Sequence, residues 1–244
     1  MTTVLATYNI KGGVGKTSAA VNLAYLAARD NAQVLLWDLD PQGASTFLFR
    51  VKPKVKGGGR KLVRGKSPVE RLIKGTDHDR LDLLPADFSY RHMDLALDDT
   101  KKPTHRLAKV LAPIAADYDY VFLDCPPSIS LVSESVFEAA DALLVPLIPA
   151  TLSSRTYTQL QRVLSDEGPR VLAFFSMFDR RKRLHREVMD DLWEKNGVLR
   201  SAIPAAADVE RMGLKRTAVA EFAPRSRAAR AYEELWREVR DKLG

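Results

Sequence analysis

The sequence predicts an α/β fold, a doubly wound and mainly parallel sheet flanked by helices. Three observations predict it. Short β-rich apolar runs alternate with helical patterns along the chain, as doubly wound sheets require. Several of these runs are apolar on both faces, like strands buried between two layers of helices. Carboxylates follow two of the runs and a glycine-rich string follows a third, and open α/β sheets bind ligands in the crevice beyond their strand ends.

The elements follow in order. Strands are expected at Val4–Tyr8, Gln33–Trp37, Leu81–Leu84, Tyr120–Leu123, Ala142–Ile148 and Arg170–Ser176. Helical spacing is read over Lys16–Arg29, Pro68–Lys74, Thr104–Ala116, Leu131–Ala139, Ser154–Leu164 and Arg183–Lys195. A last helix covers Ser226–Leu243, with Ala228, Tyr232, Leu235, Val239 and Leu243 on one face and Trp236 beside them. Packing of that face on the body of the domain is favoured over a membrane-surface role. Glu233, Glu234, Glu238 and Asp241 on the polar side suit anionic lipid poorly.

The chain has 244 residues, 45% hydrophobic and 28% charged, which excludes a disordered or fibrous protein. A single domain over residues 1–244 is expected, with no internal repeat and no linker. No apolar run reaches the roughly 18 residues of a membrane span. The opening residues Met1 to Tyr8 lack the basic region and cleavage site of a signal peptide. The one cysteine, Cys125, excludes an intramolecular disulfide and a multi-cysteine metal site, and it reads as a small buried residue. His78, His92, His105 and His185 lack metal-ligand spacing. A cytoplasmic location is expected.

Lys and Arg total 38 against 31 Asp and Glu, a net charge of +7. Nucleic acid or anionic lipid would suit that balance, and so would a merely soluble basic surface. From Arg50 to Lys66 there are eight basic residues and no acidic one, around Gly57-Gly58-Gly59. This reads as a flexible basic loop, either contacting a phosphate backbone or simply solvated.

Lys11-Gly12-Gly13-Val14-Gly15-Lys16-Thr17 lies between a predicted strand and a predicted helix, the context of a P-loop. Its glycines let backbone N–H groups turn inward around phosphate oxygens, and the helix N-terminus adds a favourable dipole. Lys16 is positioned for the β- and γ-phosphates and the Thr17 hydroxyl for Mg²⁺. Ile10 stands where the common pattern has its first glycine, and Lys11 is an additional lysine. The strand ends Asp38-Leu39-Asp40-Pro41-Gln42-Gly43 and Asp124-Cys125-Pro126-Pro127-Ser128 bring carboxylates to the same crevice.

Together these three motifs resemble the ParA/MinD family of deviant Walker ATPases, and the Asp-Pro-Gln-Gly string is closer to ParA partition proteins than to MinD. The resemblance extends through Leu84-Pro85-Ala86, Met177-Phe178-Asp179, Ile203-Pro204 and the C-terminal helix with Tyr232. It implies a Mg²⁺-dependent ATPase with slow intrinsic turnover, and a homodimer sandwiching ATP. Lys11 would be the signature lysine that crosses to the partner's nucleotide. Gly12 would lie at the dimer contact, where a side chain obstructs closure. Lys11, Gly12, Gly13, Val14, Gly15, Lys16, Thr17 and Ser18, with Met177 and Asp179, would bind nucleotide. Thr17, Asp38 and Asp124 would serve the Mg²⁺, and Asp40 would position the attacking water. Lys11, Lys16 and Asp40 are thus the expected catalytic set.

The resemblance further implies non-specific DNA binding by the ATP dimer, nucleoid association, and a ParB-like or other cargo adaptor that stimulates hydrolysis. The expected DNA-contact residues are Arg180, Arg181, Arg183, Lys195, Arg200, Arg211, Lys215 and Arg216, in a basic stretch that also holds Lys182, Arg186, Arg225, Arg227 and Arg230. Arg180 and its neighbours could instead meet the nucleotide base or the dimer partner. Ala205 follows Ile203-Pro204, where many relatives have arginine. The chain starts at its first predicted strand, so an operator-reading helix-turn-helix is not expected. Two alternatives use the same fold: a MinD-like membrane-associated positioning ATPase, and an ATP-dependent small-molecule enzyme.

Overall fold

A computed structural model describes residues 2–164, 168–194 and 197–244. The strands are β1 (Thr3–Thr7), β2 (Val34–Asp38), β3 (Lys74–Gly75), β4 (Leu81–Leu84), β5 (Tyr120–Asp124), β6 (Ala142–Leu147), β7 (Arg170–Phe178) and β8 (Val198–Pro204). They form one sheet in the order β3-β4-β2-β5-β1-β6-β7-β8. Among the described residues only the β3–β4 pair is antiparallel. The predicted fold class is therefore the observed one.

The helices are α1 (Lys16–Arg29), α2 (Ala44–Leu48), α3 (Gly58–Val63), α4 (Met93–Asp98), α5 (Arg106–Leu111), α6 (Leu131–Ala139), α7 (Thr151–Val163), α8 (Arg183–Trp193), α9 (Ala207–Lys215), α10 (Val219–Phe222) and α11 (Arg227–Leu243). They cover both faces of the sheet. Along β2, Val34 and Leu36 join the core under α1 and α11, while Leu35 and Trp37 join the core under α4, α5 and α6. All five β2 residues and all six of β6 are buried, which is why these runs are apolar on both faces.

α11 buries Ala228, Tyr232, Leu235, Trp236 and Val239. Its apolar face is thus spent on the core, as the sequence suggested. Edge contacts of Trp236 with Tyr120 and a 3.1 Å bond from Trp236 Nε1 to Asp30 fix it against the sheet.

Three sequence expectations need correction. The Arg50–Lys66 segment is folded rather than a flexible loop. It contains α3, and Val55, Leu62 and Val63 are at most 3% exposed. Arg60 and Arg64 both reach Asp99, at 3.2 and 2.6 Å. The helix expected over Thr104–Ala116 is divided into a 3-10 turn, α5 and a second 3-10 turn. Pro113 explains the break, since it has no N–H to donate and its ring clashes with the preceding turn. Of Pro68–Lys74, only Val69–Arg71 is helical, as a 3-10 turn, and Lys74 begins β3.

Candidate nucleotide site

Sheet register assembles the site. β5 lies between β2 and β1, pairing Asp38 with Asp124 and Thr7 with Asp124 at one level. Two motifs 86 positions apart (124 − 38) thereby deliver neighbouring carboxylates to the C-terminal edge of the sheet. The glycine-rich loop leaves β1 at the same edge and enters α1.

The loop is held from below. Asn9 accepts a 2.9 Å bond from the Lys11 N–H and donates at 2.8 Å to the Pro146 carbonyl. Gly13 and Gly15 have φ of 70° and 97°, in the region that favours glycine. A Cβ on Gly15 would come within 2.7 Å of Ser176 Oγ. Gly12 differs, for its φ is ordinary and a Cβ would be 4.0 Å from Pro127 Cγ. Nothing within the described chain requires glycine at position 12.

Lys16 is 7% exposed, and its ammonium donates at 2.9 Å to the Lys11 carbonyl, spanning the loop. Burial pulls its pKa down, while the negative charges of Asp124 and Asp40 oppose that shift. Lys11, Gly12 and Gly13 are exposed, Val14 is buried, and Thr17 and Ser18 are half-buried in the first turn of α1.

Asp124 is fully buried and takes hydrogen bonds from the Ser45 and Thr17 hydroxyls. Asp38 is also fully buried. Its carboxylate accepts from the Thr46 hydroxyl and N–H at 2.7 and 2.8 Å, and from the Asp40 N–H at 3.2 Å. Asp38 therefore holds α2 and the Asp40 turn in place. Burial keeps both carboxyls above the ordinary carboxylate range, with repulsion from Asp124 adding to the shift at Asp38 and repulsion from Asp40 adding to it at Asp124. Asp40 is half-buried, accepts from the Gln42 N–H at 2.9 Å, and precedes Gly43, whose φ of 66° starts α2.

The donor set suits a magnesium nucleotide. An open glycine cradle, one buried lysine and a hydroxyl beside a buried carboxylate match the needs of phosphate and a hard cation. Among the described residues no group of three His, Cys, Asp or Glu side chains could hold a metal alone. Thr17 and the nucleotide's own oxygens would supply the inner ligands.

Sequence reasoning passed over Asn9, Ser45, Thr46 and Ser176. Asn9 lies two residues before Lys11, and Ser45 and Thr46 follow the Asp-Pro-Gln-Gly string after Ala44, so closeness to the motifs was the available signal. Met177 ends the buried part of β7 with φ of 55° and is 40% exposed, one residue beyond Ser176. The Asp179 carboxylate is engaged by Arg181, which donates from its Nε at 3.0 Å and its Nη2 at 2.9 Å. This pairing holds the Asp179 carboxyl well below the usual range.

The basic residues separate into groups. Arg200 joins Arg186, Arg227 and Arg230 around a cavity of about 620 Å³ between α8, β8 and α11, which Asp190 and Glu234 also line. Arg180 anchors this group, because its carbonyl accepts from Arg186 at 2.6 Å. Arg181 is bound to Asp179, and Arg183 pairs with Glu187 at 2.6 Å. Arg211 and Lys215 are exposed on α9, while Arg216 lies over the Phe47 ring at 4.5 Å. Lys195 lies outside the described residues.

The fold and this loop define a P-loop nucleotide-binding protein. The family described as AAA domain matches residues 2–167. The chromosome partitioning protein ParA of Caulobacter vibrioides is 34% identical over 97% of this chain and 93% of its own. The structure of cobyrinic acid a,c-diamide synthase from Mycobacterium smegmatis, with bound ADP and magnesium, superposes with a TM-score of 0.81 at 29% identity, covering 97% of this chain and 93% of that one. A putative plasmid partition protein from Borrelia burgdorferi bound to AMPPNP gives a TM-score of 0.86 at 21% identity, covering 99% and 100%. The chain belongs to the ParA/MinD family of P-loop ATPases, with ParA and Soj partition proteins among its relatives.

Proposed function

We propose that this protein is a ParA-like switch: ATP and Mg²⁺ close a homodimer that binds DNA without sequence preference, and an adaptor protein triggers hydrolysis and release. The reading rests chiefly on one observation, the glycine at position 12. It is exposed and free of any backbone or packing need within the protomer. A glycine of that kind suits close approach by a second copy, and Lys11 beside it suits a reach into the partner's nucleotide.

Within each site the chain's residues have separate tasks. Lys16 neutralises charge on the β- and γ-phosphates, and the loop N–H groups hold the phosphate oxygens. Thr17, with Asp124 behind it, would hold Mg²⁺, which would supply further positive charge to those oxygens. Asp40 orients the water, and Asp38 fixes the Asp40 turn through its N–H. Phosphoryl transfer is governed by positioning and charge, so a site completed only by a partner turns over slowly alone.

Four arginines around one cavity support DNA as the matrix, since each contact to a phosphate releases counterions. This role moves the expected interface toward Arg186, Arg200, Arg227 and Arg230 and away from the internally paired Arg181 and Arg183. The α11 apolar face is buried, which disfavours a membrane-bound alternative. Among the described residues no helix is long and apolar enough to cross a membrane.

The test is duplex-DNA binding with ATP, ADP or no nucleotide, at two salt concentrations. The proposal expects ATP-dependent, salt-sensitive binding that Asp40→Ala strengthens. Equal binding in all nucleotide states contradicts it.

A further inference from the structure

The Arg50–Lys56 segment and the β3 edge form a second basic site, remote from the four-arginine cavity. Arg50, Lys52, Lys54, Lys56, Arg71 and Lys74 line a cavity of about 660 Å³. Its remaining walls are Val51, Leu72 and Gly75, with no acidic residue among them. β3 closes the sheet at one end and β8 at the other, so the two basic cavities stand at opposite edges.

The cations sit on an ordered support. Val55 is 3% exposed in the core, and its N–H donates at 2.8 Å to Asp87. The Lys54 N–H returns to the Lys52 carbonyl at 2.8 Å, and the Gly58 N–H to the Val55 carbonyl at 2.9 Å. Lys52, Lys54 and Lys56 are consequently exposed side chains on a backbone that is already fixed. Arg50 is engaged with Asp77 at 2.9 Å and with the Lys215 carbonyl. The other five cations carry the available charge. A fixed array of this kind loses less ordering entropy on binding than a disordered basic tail.

The cavity's lining discriminates between polyanions. A phosphate backbone would pair with the lysines but offers nothing apolar to Val51 and Leu72. An extended acidic peptide offers carboxylates to the lysines and an apolar side chain to Val51 and Leu72. We infer that this cavity is a docking site for an acidic, partly apolar segment of a partner protein. The inference uses no residue of the nucleotide site or of the four-arginine cavity, and it competes with phosphate contact by Arg50–Lys66, which the DNA arm of the test separates.

The test uses fluorescence anisotropy with a labelled short peptide of alternating glutamate and leucine, at low and physiological salt. Wild type is expected to bind it, with affinity falling as salt rises. Oligoglutamate of the same length should bind about tenfold more weakly, for want of the apolar contact. K52E/K54E/K56E should lose at least about tenfold in peptide affinity, and K52Q/K54Q/K56Q a smaller but measurable amount. ATP affinity and ATP-dependent DNA binding should change less than about twofold in both variants, which also reports that they fold. Absence of peptide binding by wild type overturns the inference, as does undiminished binding by the glutamine variant. Equal loss of DNA and peptide binding also overturns it and makes the surface a nucleic-acid contact.

Discussion

The nucleotide site and the four-arginine cavity are built in opposite ways. The first is held by backbone and register. Asp38 and Asp124 are fully buried, are aligned by strand pairing, and each accept at least two hydrogen bonds. The second is made of side chains from α8, β8 and α11, whose charged ends reach solvent. A buried polar site tolerates little change, because each lost partner leaves an unsatisfied group. A cationic surface loses function roughly in proportion to the charges removed. Single substitutions should therefore be severe in the first region and graded in the second.

The sharpest contrast comes from Lys16→Ala, which should weaken ATP binding by about a hundredfold through loss of charge-assisted bonds to phosphate. Calorimetric titration checks it, and unchanged affinity would remove the P-loop assignment. Paired replacement of Arg200 and Arg230 by alanine should reduce ATP-state DNA affinity by about tenfold, lower the slope of log affinity against log salt by about 2, and leave ATP affinity unchanged. A loss independent of salt would break the comparison.

Gly15→Ala probes the scaffold itself. The left-handed φ and the approach to Ser176 should cost about 1–3 kcal/mol, seen as a lower Tm. Gly12→Ala, without either constraint, should leave Tm nearly unchanged.

The smallest effect concerns pH. Asp38 and Asp124 have raised pKa values in the fold, so the folded state binds protons that the unfolded chain has released. Stability contributed by their protonation is complete below the ordinary carboxylate pKa, about 4, and is lost as pH rises through the raised values. Asp124→Asn should flatten that loss in thermal melts from weakly acidic to weakly alkaline pH. An unchanged slope would show that the pair does not set it.

The same contrast explains what could be read from the chain. β2, β5 and β6 were legible because burial on both faces leaves a continuous apolar run. β8 was missed because it is an edge strand with alternating exposure, and β3 because it has two residues. α3 was hidden by its glycines, Arg60 and Lys61, although Leu62 and Val63 anchor it in the core. The candidate phosphate and Mg²⁺ residues lie in three short motifs, so local spacing is enough to single them out. Arg186, Arg200, Arg227 and Arg230 come from three elements, and only tertiary packing brings them together. Asn9 and Thr46 were unread for a similar reason, since their value lies in the backbone groups they hold.

The central claim is that ATP joins two copies of this chain across Gly12. Sedimentation velocity of wild type and Gly12→Val, with and without ATP and Mg²⁺, tests it most directly. The account predicts an ATP-dependent dimer in wild type, and a variant that still binds ATP yet stays monomeric. A wild type that remains monomeric with saturating ATP, or a variant that dimerises equally well, would contradict it.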